Sequence, residues 1–145
     1  MSVDWIEATR AMIDEIRTYG RPQTGWLAGQ QVLLLTTTGA KSGEARTSPL
    51  AYSLDDGSFV VTASKAGAPT HPAWYHNLRS EPKSVVELDR ERIPVKATLL
   101  PEGPERQRLW DQHAAIHPGI AEYPKKTERV IPIVVLRRVA LESTG

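Results

Sequence analysis

The strongest constraint on the fold is a change of texture at Gln31. From there the chain runs through six extended segments, QQVLLLTTT, RTSPLAYSL, SFVVTAS, SVVELD, RIPVKATLL and VIPIVVLRRVAL. Apolar and β-branched residues fill them, and Gly, Pro, Asp and Ser clusters punctuate them, which is the pattern of strands joined mainly by hairpins. Asp56-Gly57 supplies the left-handed pair that a two-residue hairpin needs, and a second hairpin is expected around Arg90-Glu91. Strands in this order, with no regular alternation with helices, exclude a doubly wound sheet. They predict an α+β domain built on a mostly antiparallel, barrel-like sheet of about six strands. Pro49 cannot donate to a ladder, so its strand is expected at an edge or bulge.

Three helices complete the expected architecture. Trp5, Thr9, Met12, Ile13 and Ile16 recur at helical spacing between Asp4, with Glu7 as its capping-box partner, and Gly20 as a stop. The apolar face of this amphipathic N-terminal helix, residues 1–20, is expected to pack on the domain. Peripheral contact with the inner membrane face is the other reading, which Asp4, Glu7, Asp14 and Glu15 oppose. Pro72 opens a short helix, PAWYHNLRSEP, and Pro104 opens a third, PERQRLWDQHAAIH, stopped by Gly119. The expected organisation is a single domain over residues 1–145, with the barrel over 31–141.

Composition narrows the function. With 18 Lys and Arg against 17 Asp and Glu, the net charge of +1 gives no global case for nucleic acid, so any basic patch is local. Cysteine is absent, which removes thiol redox chemistry and Cys-ligated metal centres; if the protein moves electrons, a bound carrier supplies them. No apolar run reaches spanning length and the first turns are acidic, so neither a transmembrane helix nor a signal peptide is expected. The expected location is the cytoplasm.

One local basic patch stands out, TTTGAKSGEARTSPL over residues 36–50. A Gly-flanked corner carrying Lys41 and Arg46 suits an anion, because turn amides and cationic side chains converge there. It is not a nucleotide-triphosphate loop: Ala40 precedes Lys41-Ser42, and Pro49 argues against a following helix.

Four motifs in order, LLLTTTGAKSGEARTSPL, VVTASKAGA, PAWYHNL and ERVIPIVVL, resemble the deazaflavin-dependent nitroreductase and quinone reductase family of actinobacteria. The resemblance runs from about Val32 to Leu136. It implies a split β-barrel that binds the deazaflavin coenzyme F420 and passes a hydride to a quinone, nitroaromatic, or activated enone or lactone. By position, it implies phosphate and acidic-tail contacts at Lys41 and Arg46, with Ser42, Thr47, Ser48, Pro49, Leu50 and Ala51 beside them. It places the ring near Thr62, Ala63, Ser64, Lys65 and Gly67, then Ala73, Trp74, Tyr75, His76 and Asn77. Of the tyrosines such members carry before the last strand, HPGIAEYPKKTER keeps Tyr123; His117 and Ile120 stand where the others are expected.

Hydride transfer to a planar acceptor needs a dry slot and alignment more than acid–base side chains, so no triad or carboxylate pair is required. Ser64 is a candidate donor to the oxygen where negative charge collects, its plainer reading being a turn hydrogen bond. Tyr123 is a candidate proton donor, its plainer reading a lid or core tyrosine. Of Trp74 and Tyr75, one is expected in the core and the other against the ring or tail. His113 and His117 show the i, i+4 spacing of metal ligands but lack a third ligand, and no metal is expected. Rival readings are a flavin mononucleotide-binding split-barrel oxidoreductase and a non-catalytic deazaflavin-binding protein. The expected partner is a small-molecule acceptor, with pairing into a homodimer left open and no nucleic acid.

Overall fold

The computed structural model describes residues 3–23 and 30–139. Seven strands form one antiparallel sheet: β1 (Val32–Thr38), β2 (Ala45–Ala51), β3 (Ser53–Asp55), β4 (Ser58–Thr62), β5 (Lys83–Leu88), β6 (Glu91–Leu100) and β7 (Ile133–Arg138). Their order is β2-β1-β5-β6-β7-β4-β3. The two outermost strands are consecutive in the chain, with Tyr52 alone between them. A flat sheet would hold its two outer strands many strand-widths apart, so this connection obliges the sheet to curl into a barrel. The expected second strand is therefore a single extended run bent at Tyr52, whose amide donates to the Gln31 carbonyl at 3.0 Å. That bend turns six expected strands into seven.

β2 is an outermost strand, as Pro49 requires. The β3–β4 turn has Asp56 at φ 50 and Gly57 at φ 81, the left-handed pair of a type I′ turn. The β5–β6 hairpin turns at Asp89 (φ 50) and Arg90 (φ 68), one residue earlier than expected, because Leu88 pairs with Glu91 and leaves only those two residues in the loop.

Burial explains the unbroken VLLL of β1. Leu33 and Leu35 join Phe59, Val61, Val95, Val134 and Leu136 in one cluster, while Val32 and Leu34 meet Met12 and Ile16 in another. Both faces of β1 are covered, so its sequence has no need to alternate. Met12 and Ile16 belong to α1 (Val3–Tyr19), whose apolar face therefore lies on the sheet, as the first reading of that helix expected. Arg17 adds a forked contact to both Glu87 oxygens of β5, at 3.2 and 3.0 Å. Trp5 lies among side chains outside the described set. Other alternate positions, Val60, Ile133 and Val135, pack with Leu109 and Trp110 of α3 (Pro104–Ile116).

α2 (Ala73–Ser80) departs from expectation. Trp74 and Tyr75 do not divide between core and slot: both are buried in the barrel cluster, their rings 6.5 Å apart and edge-to-face. Four of its eight residues are buried, Trp74, Tyr75, Asn77 and Leu78, so the helix is enclosed around more than one face. Residues Pro118–Lys125 form a 3₁₀ segment between α3 and β7. β7 begins three residues later than its expected start at Val130, and the final residues of that expected run lie outside the described set.

Candidate functional site

Strand direction gathers the site. Each neighbour in the sheet is antiparallel, so β1, β6 and β4 run one way and β2, β5 and β7 the other. The C-terminal ends of β1 and β4 and the N-terminal ends of β2 and β7 consequently share one end of the barrel. Lys41 and Arg46 at the β1–β2 corner, Ser64 and Lys65 after β4, and the approach to β7 all lie there. The Asp56-Gly57 and Asp89-Arg90 turns lie at the other end.

The β1–β2 corner is closed by its own hydrogen bonds. Gly39 N donates to Glu44 O and Gly43 N to Gly39 O, both at 2.8 Å, while Glu44 N donates to Ser42 Oγ at 3.1 Å. A Cβ on Gly39 would stand 2.6 Å from that Oγ and 3.2 Å from the Glu44 carbonyl, so a side chain there would displace the Ser42 hydroxyl from its bond to Glu44 N. Ser42 is thus engaged within the turn. Lys41 and Arg46 point into solvent, and Arg46 pairs with the equally exposed Glu44 at 3.2 Å. An exposed pair of this kind contributes only about 0–1 kcal/mol, so a multiply charged anion can displace it. Along β2, Thr47 Oγ1 meets Thr36 Oγ1 at 2.8 Å, and Thr47 to Ala51 are half-buried.

Asn77 holds this corner from beneath. Its Oδ1 accepts from Ala40 N and its Nδ2 donates to Thr37 Oγ1, both at 3.0 Å. It is 7% exposed, so its polar atoms serve the fold and reach a ligand only through the corner they fix.

After β4 the chain makes a 3₁₀ turn, Lys65–Gly67. Ser64 precedes it with helical φ and ψ, yet its side chain makes no capping bond; its Oγ only receives a long contact of 3.4 Å from Thr62 Oγ1. The Ser64 carbonyl closes the turn by accepting from Gly67 N at 2.9 Å. Lys65 takes a left-handed backbone (φ 46), and its Nζ reaches Thr70 Oγ1 at 3.4 Å. Gly67, at φ 82, is obligatory: a Cβ there would lie 2.9 Å from the Cβ of Lys126. Ala63 is fully buried in the barrel cluster, whereas Ala73 and His76 are exposed.

Arg129 went unnoticed in the sequence. Its Nε donates to Ala68 O at 2.9 Å, its Nη2 to Ala63 O at 3.2 Å and Ser64 O at 2.9 Å, and its Nη1 to His71 Nδ1 at 2.9 Å. The guanidinium ties together the whole segment from Ala63 to His71. No local pattern marks such a residue, because its partners are backbone carbonyls some sixty positions away.

The 3₁₀ segment Pro118–Lys125 packs against the Lys65–Gly67 turn, the Tyr123 carbonyl facing Gly67. Tyr123 is half-buried beside the Trp110 cluster, with Lys126 Nζ 6.0 Å from its ring centre. His117 and Ile120 turn inward: His117 Nε2 bonds the Tyr52 carbonyl at 2.8 Å, and Ile120 joins the same cluster as Trp110. His113 Nδ1 meets Ser53 Oγ at 2.7 Å, so both imidazoles of the i, i+4 pair have structural partners. Among the described residues no group of three metal-ligating side chains occurs. An open depression of about 660 Å³ lies beside this end, between Pro69, Pro124, Lys126 and Arg129.

Residues 8–138 match the family model described as F420H(2)-dependent quinone reductase. The chain belongs to that family. An F420H(2)-dependent quinone reductase of Mycobacterium tuberculosis is 39% identical over 111 residues, covering 73% of this chain and 72% of that protein. The solved F420-H2 dependent reductase FDR-A is 39% identical with a TM-score of 0.67, covering 74% of this chain and 94% of that one. A solved domain-swapped dimer, 35% identical, aligns with a TM-score of 0.70 over 92% of this chain and 98% of its own. Membership of the quinone reductase family accords with the curled antiparallel sheet described above and with the four motifs that carry the resemblance. His117 and Ile120, at the positions where the resemblance leads one to expect tyrosines, are buried, whereas Tyr123 is half-buried at this end.

Proposed function

We propose that the chain is an oxidoreductase that passes a hydride from reduced coenzyme F420 to a small quinone-type acceptor. The observation that carries this reading is the convergence of exposed cations, an uncapped serine and a hydroxyl-bearing segment at one barrel end in a chain of this family. The bound coenzyme supplies the hydride; it also yields a proton, and the acceptor gains both to become a hydroquinone. The remaining work, binding, orienting and excluding water, falls to the chain.

The coenzyme's phosphodiester and glutamate tail need positive charge, and the residues present fit. Lys41, Arg46 and Lys65 are exposed at that end with Glu44 opposing them at the corner, and each charge-assisted bond contributes about 1.5–3 kcal/mol. Ser42 and the half-exposed run from Thr47 to Ala51 border this rim. Thr62, Ser64 and Gly67 border the ring, with Ala73 and His76 as exposed neighbours. Buried Ala63, Trp74, Tyr75 and Asn77 contribute by supporting the surface rather than by reaching through it. Ser64 would donate a hydrogen bond to a carbonyl oxygen as charge develops there, and Tyr123 would pass its proton to the reduced acceptor and recover the one the coenzyme releases.

The test is a fluorescence titration with the oxidised coenzyme, then a panel of quinone, nitroaromatic and lactone acceptors followed by oxidation of the reduced coenzyme. Replacing Lys41 and Arg46 together by Ala should weaken binding at least about tenfold, roughly 1.4 kcal/mol; unchanged affinity would remove the cradle. Ser64→Ala and Tyr123→Phe should lower turnover more than affinity. Assembly into a homodimer, suggested by the domain-swapped relative, and a cytoplasmic location are part of the proposal. A monomeric mass by light scattering would remove the first. Membrane contact through α1 is the weaker expectation, since Met12 and Ile16 already pack on Val32 and Leu34.

A further inference from the structure

Arg129 is half-buried and, among the described residues, has no carboxylate partner. All four hydrogen bonds of its side chain go to neutral acceptors, three carbonyls and one imidazole nitrogen. Two consequences follow from elementary chemistry. A guanidinium has donors and no acceptor, so the His71 nitrogen it meets must carry a lone pair, and the proton of a neutral His71 must sit on Nε2. A planar fork that reaches the carbonyls of Ala63 and Ser64 together also sets the backbone from which the Ser64 hydroxyl and the Lys65 side chain project. No partner of His71 Nε2 is found among the described residues, and the residue is half-buried.

We propose that Arg129 is a positioning residue of the transfer site: it fixes the Ala63–Ser64 backbone and locks His71 as the Nε2–H tautomer, presetting the loop that meets the reacting molecules. This rests on the reading of the site as a hydride-transfer slot. The groups around His71 agree with the arrangement. Burial lowers its proton affinity first, and the positive charge of Arg129 lowers it further, with His76 and Arg79 of α2 acting in the same direction. Tyr75, whose ring centre is 4.7 Å away, offers no negative charge at neutral pH. Protonating His71 would put a second donor against Nη1 and break the clamp, so the loop is held in one arrangement at neutral pH. A lysine at 129 would retain the charge, but the three donors of its single nitrogen could not serve three carbonyls and an imidazole.

The experiment has a coenzyme-free arm and a kinetic arm. Nitrogen NMR of histidine-labelled wild-type protein at neutral pH should show His71 with a bare Nδ1 and a protonated Nε2. A proton on Nδ1, or a cationic ring, would overturn the proposal without any variant having to fold. In Arg129→Met the tautomer should become mixed, and the titration of His71 should move up towards its ordinary value near about 6.5. In the kinetic arm, Arg129→Met and Arg129→Lys should both lose turnover by about tenfold to a hundredfold, with coenzyme affinity within about threefold of wild type. Wild-type turnover in either variant, or a loss confined to affinity, would overturn it. If the wild-type protein neither binds nor oxidises the reduced coenzyme, the functional reading fails, while the His71 tautomer still decides the arrangement.

Discussion

At the scale of single residues, His113 shows how burial writes a pH dependence into the fold. Its side chain is 1% exposed, Ser53 Oγ meets Nδ1, and the His117 ring lies 4.8 Å away, so burial pushes its pKa down to about 4. The unfolded chain binds a proton there near about pH 6.5 and the folded chain refuses it. Stability is therefore complete above that pH and falls as pH drops through the window towards 4, by roughly 3 kcal/mol at most from this one group. In His113→Gln the fall between those pH values should be shallower than in wild type, read from urea unfolding at several pH values; parallel curves would contradict the assignment. The i, i+4 spacing of His113 and His117 was legible, but their partners were not. Ser53 and the Tyr52 carbonyl lie some sixty residues upstream, where spacing carries no information.

At the scale of elements, α2 and the β1–β2 corner act as a unit through Asn77. Asn77→Leu would strand Ala40 N and Thr37 Oγ1, with an expected cost of about 1–3 kcal/mol. It should also weaken coenzyme binding severalfold, because the corner that presents Lys41 loses its support. Denaturant unfolding and the coenzyme titration measure the two effects; lost stability with intact affinity would separate the corner from the site. The corner itself was readable, since a glycine pair bracketing Lys41 between two β segments, with Arg46 just beyond, has few alternatives. The role of α2 was not, because adjacent aromatics on a two-turn helix look alike whether one face or most of the surface is enclosed. Arg129 shows the same limit from the other side: a cation in a short link before a strand reads as solvated until its carbonyl partners are known.

At the scale of the molecule, the strand content and antiparallel class followed from periodicity and turn chemistry, and the unbroken VLLL finds its reason in the cover on both faces of β1. What periodicity could not supply was the bend at Tyr52, because the residues on either side of it are equally extended and only their pairing changes. Covering β1 from outside is the task of α1, so Ile16→Ala should destabilise the whole fold by about 2–5 kcal/mol. The loss should appear as one shifted cooperative transition in circular dichroism; an unshifted main transition preceded by early loss of helix signal would mean that α1 only rests on the barrel.

The bend has a mechanical corollary. In an ordinary open sheet each margin can fray by itself, but here both margins are halves of one continuous strand, seven residues hooked to β1 and three to β4. Peeling either half levers on the other through a single residue. The barrel is thus latched shut by its own covalent thread, and the rim bearing Lys41 stays aligned with the rim bearing Ser64.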